Sequence, residues 1–374
     1  MAEYKCRIIQ ISKKLNRFSK SVYKNEIRLF IFIDLVLERI MKAITISDVA
    51  KQANVSKSTV SQYLNKRYDY MSEKTKERIS QAIEELGYQP NIVARSLKQK
   101  STSTIGVIVA NILHAFSTQV IRAIEDICNE QGFHIIVCNA DDEPEKEKNY
   151  IEMLTAKQVD GLIIFPTGGN IDLYKRMMKK NVPLVFFDRV VEDIEASTIM
   201  LNNESATKMA VEHLVEKGYK RIGIMTTSIS RNVTPRIERI KGYKKALQEN
   251  NLDSNEDYIR TLDLHHIQDG LKQMLSLDFP PQAIIAGNDL TLMEILKFTK
   301  ENNISIPEDL ALIGIDDVSF ASFFTPELTT IAQPTFEMGK RAAELLLNKI
   351  KDPDYQEETK VHRFEPELMI RNSC

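Results

Sequence analysis

Beyond residue 103 the chain settles into one repeating alternation, and this narrows the possible folds more than any other feature. Short apolar runs (TIGVIVA, HIIVC, DGLIIFP, VPLVFFD, RIGIMT, QAIIAGND and LALIGIDD) are separated by amphipathic stretches at residues 117–131, 146–156, 205–217, 238–249, 291–301 and 337–349. Continuous Val/Ile runs suit strands buried on both faces, and their alternation with helices predicts parallel, doubly wound α/β sheets. There are too many runs for one sheet of this length. A new series starts near STIMLNNESATK, so two similar lobes joined by several crossing segments are expected. In such sheets ligands gather at the carboxyl ends of the strands, which places a site in the cleft between lobes.

Polar pairs stand at those ends: Asp188-Arg189 after VPLVFF, Asn288-Asp289 after AIIAG, and Asp316-Asp317 after ALIGI. Each has two readings, a ligand contact or a residue that ends the strand and caps the next helix. For Asn288-Asp289 the capping role is as good an account as the other.

The segment TISDVAKQANVSKSTVSQYLNKR, residues 45–67, has a different character. Thr45 is a good N-cap, with Asp48 three residues on to complete a capping box. Ile46, Val49, Ala50 and Ala53 form one narrow apolar face. Asn54 suits a left-handed turn, and Ser56 caps a second helix with Val60 and Leu64 inward. Outside remain Lys57, Ser58, Thr59, Ser61, Gln62 and Asn65, followed by Lys66 and Arg67, with no carboxylate among them. Such a face suits phosphate oxygens and base edges; the plainer alternative is a solvated helix face. Ser72 opens a third helix with Ile79, Ala82, Ile83 and Leu86 inward, stopped by Gly87-Tyr88-Gln89-Pro90. In NIVARSLKQKSTST, Asn91 can cap a very short helix, which forms only against something else.

SDVAKQANVSKSTVSQYLN together with GYQPNIVARSLKQKSTSTIGVIV resembles the N-terminal signature of the LacI/GalR family of bacterial transcription regulators, over about residues 41–374. The resemblance implies a periplasmic-binding-protein-like core behind an all-α helix-turn-helix headpiece, with residues 55–64 in the major groove of operator DNA. It assigns base reading to Lys57, Ser58 and Gln62, and phosphate contact to Ser56, Thr59, Ser61 and Asn65. It adds Tyr88, Asn91, Ala94 and Leu97 around a hinge helix at 91–97, with Leu97 wedging into the minor groove. Relatives usually carry Gly where Asn54 stands; the turn is expected to survive. Effector contacts carry over to Phe116, Asp188, Arg239, Asn288 and Asp316, with Arg189 beside them, and a ligand-stacking aromatic aligns near His265-His266. SQYLNKRYDYMS and ANILHAFSTQVIRAIED look similar to repressors of 2-keto-3-deoxygluconate operons.

Charge agrees with this division. Residues 1–40 and 41–103 each carry a net +5, so residues 104–374 hold −12 of a total of −2. A basic head on an acidic body concentrates phosphate attraction at one end. The four cysteines form no CxxC pair and no metal spacing, which suits a reducing cytosol. There is no GxGxxG, no P-loop and no recognisable nucleophile motif, so no catalysis, cofactor or metal is expected.

Residues 1–40 are basic at first and then carry IRLFIFIDLVLERI. Charges interrupt that run, so it is neither the core of a signal peptide nor the roughly 20 apolar residues of a membrane span. Met41 stands where chains of the family usually begin, so this segment reads as an overextended start or an extension. The expected organisation is residues 1–40, a headpiece at 41–90, a hinge and linker at 91–103, and a two-lobed effector and dimerisation core at 104–374. The whole reads as a cytoplasmic homodimeric regulator, most simply a repressor, binding double-stranded operator DNA and a small sugar or sugar-acid effector. A solute-binding protein of an importer would share the core but needs an export signal and has no use for the headpiece.

Overall fold

The computed structural model describes residues 44–89, 101–229, 233–355 and 360–374. The hinge positions Asn91, Ala94 and Leu97 and the segment 1–40 lie outside the described residues. The chain divides into two compact units, Met1–Arg95 and Ser96–Cys374.

In the first unit three helices enclose a small core: α1 (Ile46–Gln52), α2 (Lys57–Leu64) and α3 (Glu73–Leu86). Val49, Ala50, Ala53, Val60, Ile79, Ala82 and Tyr88 are buried together. Each boundary has a local cause. The Asp48 carboxylate accepts the Thr45 amide at 2.8 Å and its hydroxyl at 2.7 Å. Asn54 turns the chain at φ 51°. Ser56 and Ser72 cap α2 and α3 by accepting the Thr59 and Thr75 amides. Gly87 ends α3 at φ 59°, where a side chain would be strained.

The second unit carries two six-stranded sheets. Lobe 1 holds β1 (Thr104–Val109), β2 (His134–Asn139), β3 (Gly161–Ile164), β4 (Leu184–Phe187), β5 (Ser197–Leu201) and β11 (Val361–Phe364), in spatial order β11-β5-β4-β3-β1-β2, all parallel. Lobe 2 holds β6 (Ile222–Thr227), β7 (Ile259–Leu262), β8 (Ala283–Ala286), β9 (Ala311–Ile315), β10 (Thr329–Ala332) and β12 (Glu367–Met369), in order β12-β10-β9-β8-β6-β7, with β12 alone antiparallel.

The apolar runs are continuous because alternate residues serve opposite faces. In β4, Val185 and Phe187 join one lobe-1 core while Leu184 and Phe186 join the other. In β9, Ala311, Ile313 and Ile315 face one lobe-2 core and Leu312 the other. Helices α4 (Ala115–Glu130), α5 (Pro144–Ala156), α6 (Ile171–Lys179) and α11 (Thr335–Lys351) cover lobe 1, and α7 (Asn203–Glu216), α8 (Thr234–Glu249), α9 (Ile267–Leu275) and α10 (Asp289–Glu301) cover lobe 2. The chain crosses between lobes three times: after β5, after β10 and after β11. Where α7 meets α8, a Cβ on Gly242 would lie 2.4 Å from Thr207 Oγ1 and 2.6 Å from Glu204 Cα, so only glycine allows this approach.

Candidate nucleic-acid interface and ligand cleft

On the headpiece, Val60 is fully buried beneath α2, while Ser56, Lys57, Ser58, Gln62 and Asn65 are exposed and Thr59 and Ser61 are half-buried. The helix therefore turns a carboxylate-free row of short donors and acceptors outward. Two of them also have work within the fold. The Ser56 hydroxyl lies 2.6 Å from Ser58 Oγ and 2.8 Å from Thr59 Oγ1 besides accepting the Thr59 amide. The Asn65 amide group donates to the Ser61 carbonyl at 2.7 Å. Tyr88 has its ring in the headpiece core, where burial raises its phenol above the ordinary value.

Between the lobes lies an open cleft lined by residues of both. Both lobes build it alike. Asp188 follows β4 and Asp316 follows β9, equivalent strands in the two sheets, and both sit in the left-handed region at φ 66° and 88°. Each aspartate amide still bonds the neighbouring strand, Asp188 to the Ile199 carbonyl and Asp316 to the Ile331 carbonyl. The turn that follows is what directs each carboxylate into the cleft. Strained positions of this kind concentrate at functional sites.

Three arginines line the same space. Arg239 is 4 % exposed; it donates from Nε to Asn203 Oδ1 at 2.9 Å and from Nη1 to the Gly287 carbonyl at 2.5 Å. Arg236, one helical turn earlier, donates to the Ser228 carbonyl at 2.6 Å and stands 3.7 Å from Asp142. Arg189 donates to the Pro166 carbonyl and to Asp142 Oδ1 at 2.8 Å, whereas its buried Nε makes no hydrogen bond and lies 3.8 Å from Asp188.

Burial and crowding perturb these groups. Burial, then repulsion from Arg189, lowers Arg236 to about 10. Burial raises the Asp188 carboxyl against the pull of Arg189 and Arg239. Burial pushes Asp316 up to about 6, opposed by Arg239 and reinforced by Asp289. Burial would also raise Asp142, but Arg189 and Arg236 outweigh it and leave it lowered.

Phe116 lines the cleft as expected and packs on Phe187, which stacks on Phe165 with centroids 4.7 Å apart. Asn288 lines it too, but both ends of its amide are engaged: Oδ1 accepts the Thr291 amide at 2.8 Å, capping α10, and Nδ2 donates to Thr227 Oγ1 at 3.1 Å. His265 and His266 are exposed on a short 3-10 turn, outside the cleft lining. The imidazole that does line it belongs to His114. Four participants were not singled out in the sequence: His114, Asp142, Asp289 as a bonding partner, and Gln333. A weaker signal existed for Asp142, which lies in the turn after β2, three residues beyond Asn139.

Among the described residues no group of three or more His, Cys, Asp or Glu could hold a metal, and no helix is long and apolar enough to cross a membrane. Cys128 and Cys138 are buried and unpaired, and burial pushes the Cys128 thiol up to about 12.

Known proteins are similar along most of the chain. Residues 45–91 match the family model described as bacterial regulatory proteins, lacI family, and residues 211–374 match that of the periplasmic binding protein-like domain. Residues 20–67 also match the helix-turn-helix domain of resolvase. The probable HTH-type transcriptional regulator EndR of Paenibacillus polymyxa is 49% identical over 332 residues, 88% of this chain and 98% of that protein. The repressor PurR of Aliivibrio salmonicida (88% of this chain, 98% of that protein) and the regulator KdgR of Bacillus subtilis (82% and 91%) are each 35% identical. The crystal structure of the Lac repressor bound to ONPG in its repressed state superposes with a TM-score of 0.77 at 28% identity, covering 89% of this chain and 100% of that one.

Proposed function

The chain belongs to the lacI family of bacterial transcription regulators, and from that premise we propose that it is a cytoplasmic homodimer repressing a sugar or sugar-acid catabolic operon. A small effector held between the lobes releases it from double-stranded operator DNA. Lys57, Ser58 and Gln62 read base edges, while Ser56, Thr59, Ser61 and Asn65 contact phosphates. Tyr88, Asn91, Ala94 and Leu97 add further DNA contacts, Leu97 as a wedge in the minor groove. Phe116, Asp188, Arg189, Arg239 and Asp316 form the effector site, and Asn288 borders it with the second hydrogen of the amide that caps α10.

The single observation that carries the reading is the pairing of the outward polar face of α2, free of carboxylates, with a polar cleft between two lobes. The effector's class rests on cleft chemistry, since PurR and KdgR stand at the same identity. Arg189 and Arg236 share one carboxylate, Asp142, and burial, then their mutual repulsion, lowers Arg236. A ligand carboxylate relieves that repulsion and suits a guanidinium fork. Asp316, already bonded by Gln333, accepts hydrogen bonds from the ligand's hydroxyls. A small sugar acid, with 2-keto-3-deoxygluconate or its phosphate foremost, meets both demands. Effector binding shifts the lobes only by its differential affinity for two arrangements.

Gel-shift with the DNA upstream of its own gene should show sequence-specific binding. Calorimetric titration with hexoses, hexuronates and 2-keto-3-deoxygluconate should then show preference for an acid. Tight binding of a neutral hexose with no response to the acids refutes the sugar-acid reading, and failure to bind DNA refutes the regulator.

A further inference from the structure

His114 and Asp289 meet across the cleft. His114 stands at the entry to α4 in lobe 1, and Asp289 is the first residue of α10 in lobe 2. The imidazole Nδ1 lies 2.5 Å from Asp289 Oδ1, and the other carboxylate oxygen accepts the Ala115 amide at 2.6 Å. No side chain adjoining the start of α4 caps that sixteen-residue helix. The lobe-2 carboxylate therefore does the capping, where it also meets the positive end of the helix dipole. The pair is mostly enclosed, with side chains 18 % and 6 % exposed. Burial would raise the Asp289 carboxyl, but His114 and the two backbone amides that it accepts outweigh burial and hold it low.

The bond fixes the imidazole's chemistry. In the neutral ring, with Nδ1–H donated to a carboxylate, Nε2 keeps its lone pair and is an acceptor. His114 lines the cleft, and no hydrogen bond to Nε2 occurs among the described residues. Asp188, Asp316 and Arg239 line the same cleft as His114. Opening the lobes would break both bonds together, freeing the ring and uncapping α4.

We propose that His114 is a specificity-determining contact for the effector, set by Asp289 so that Nε2 faces the ligand as an acceptor only when the lobes are closed. The proposal rests on the reading of the cleft as the effector site. The group it takes is a ligand hydroxyl, and an analogue without one leaves Nε2 unpaired and is rejected. Closure and recognition are thereby one event, because the carboxylate that holds lobe 1 also fixes the ring that reads the ligand.

The test uses the full chain and three readouts. Imidazole 15N spectra, with His114 assigned by its loss in His114→Phe, should show the neutral Nδ1–H tautomer in the effector-free protein; an Nε2–H tautomer or a doubly protonated ring overturns the proposal. Asp289→Ala should speed amide exchange about fivefold, the fold-change expected for losing a typical cap, across residues 187–191 and 233–239 as well as 115–118. Exchange raised at 115–118 alone makes Asp289 a local cap and overturns the coupling. If Asp289→Ala does not fold, His114→Phe serves for the same measurement from the other lobe. Titration with 2-keto-3-deoxygluconate should be weakened at least tenfold by His114→Phe, and unchanged affinity overturns the contact. If the unmodified protein does not bind that compound, the sugar-acid reading fails, while the tautomer and exchange readouts still decide this proposal.

Discussion

Asp316→Asn should make the protein more stable at neutral pH while it loses its response to effector. The carboxyl is 7 % exposed and titrates at about 6 instead of 3.8. The fold therefore prefers its neutral form, and holding the charge at neutral pH costs on the order of 3 kcal/mol, about two units at ~1.4 kcal/mol each. Because the folded value is raised, the native state binds the extra proton between about pH 4 and 6. Stability is accordingly greatest below the unfolded value, falls as pH rises through that window, and stays level above it.

Asparagine removes the penalty without stranding a neighbour. Gln333 Nε2 donates to Asp316 Oδ1 at 2.5 Å, and the Asp289 amide donates to Oδ2 at 3.3 Å. The Gln333 Oε1 atom is buried without a partner, so a half-turn of that amide lets it accept from the new NH2 group while the Asp289 amide keeps an oxygen. Allowing for imperfect geometry, the expected net gain at pH 7.5 is about 1–3 kcal/mol, the range for one relieved buried charge. Urea unfolding followed by circular dichroism at pH 7.5 and pH 4 is the assay. The gain should be present at the higher pH and vanish at the lower one. A gain equal at both, or a loss at both, refutes the reasoning.

Gln62→Ala should relax base preference at one position, by about 1–3 kcal/mol of lost discrimination, measured by anisotropy against operator and single-base variants. Ser56→Ala should weaken all sequences alike and also remove the α2 cap, at a cost of about 1 kcal/mol to headpiece stability, so melting must accompany the binding curves. Arg239→Lys should weaken a sugar acid at least tenfold in calorimetry, because one ammonium cannot hold Asn203 and the Gly287 carbonyl as the guanidinium does and still reach the ligand; unchanged affinity removes Arg239 from the site. Gly242→Ala should destabilise the core by about 1–3 kcal/mol through overpacking at the α7–α8 contact, seen as a lower urea midpoint with headpiece melting unchanged.

The elements that local spacing defines were legible in the chain. All seven apolar runs form strands, and all six amphipathic stretches form helices within a few residues of the expected ends. The strands that escaped notice are β5, β7, β10, β11 and β12. IRTL, VHRF and ELM are half-exposed edge or peripheral segments with too few apolar residues to stand out, and TTIA buries threonines. The break expected near STIMLNNESATK falls inside that stretch: STIML is β5, the last consecutive strand of lobe 1, and the crossing follows it.

For this protein the sequence determined the caps, the helix-turn-helix and the kind of sheet, because each depends on residues within one or two turns of each other. Thr45 with Asp48, Asn54 at its left-handed turn and Ser56 with Thr59 all act over three residues or fewer. Only the tertiary structure decided what the cleft residues do. Arg189 finds Asp142 from 47 positions away, and His114 finds Asp289 from 175. Spacing carries no record of such pairs, since the register of two sheets and the closing of two lobes set them. The same packing gave Asn288 to capping and left His265 and His266 exposed on the surface: a polar side chain at a strand end meets both a helix terminus and a cavity, and which one holds it depends on the partners that folding brings within about 3 Å.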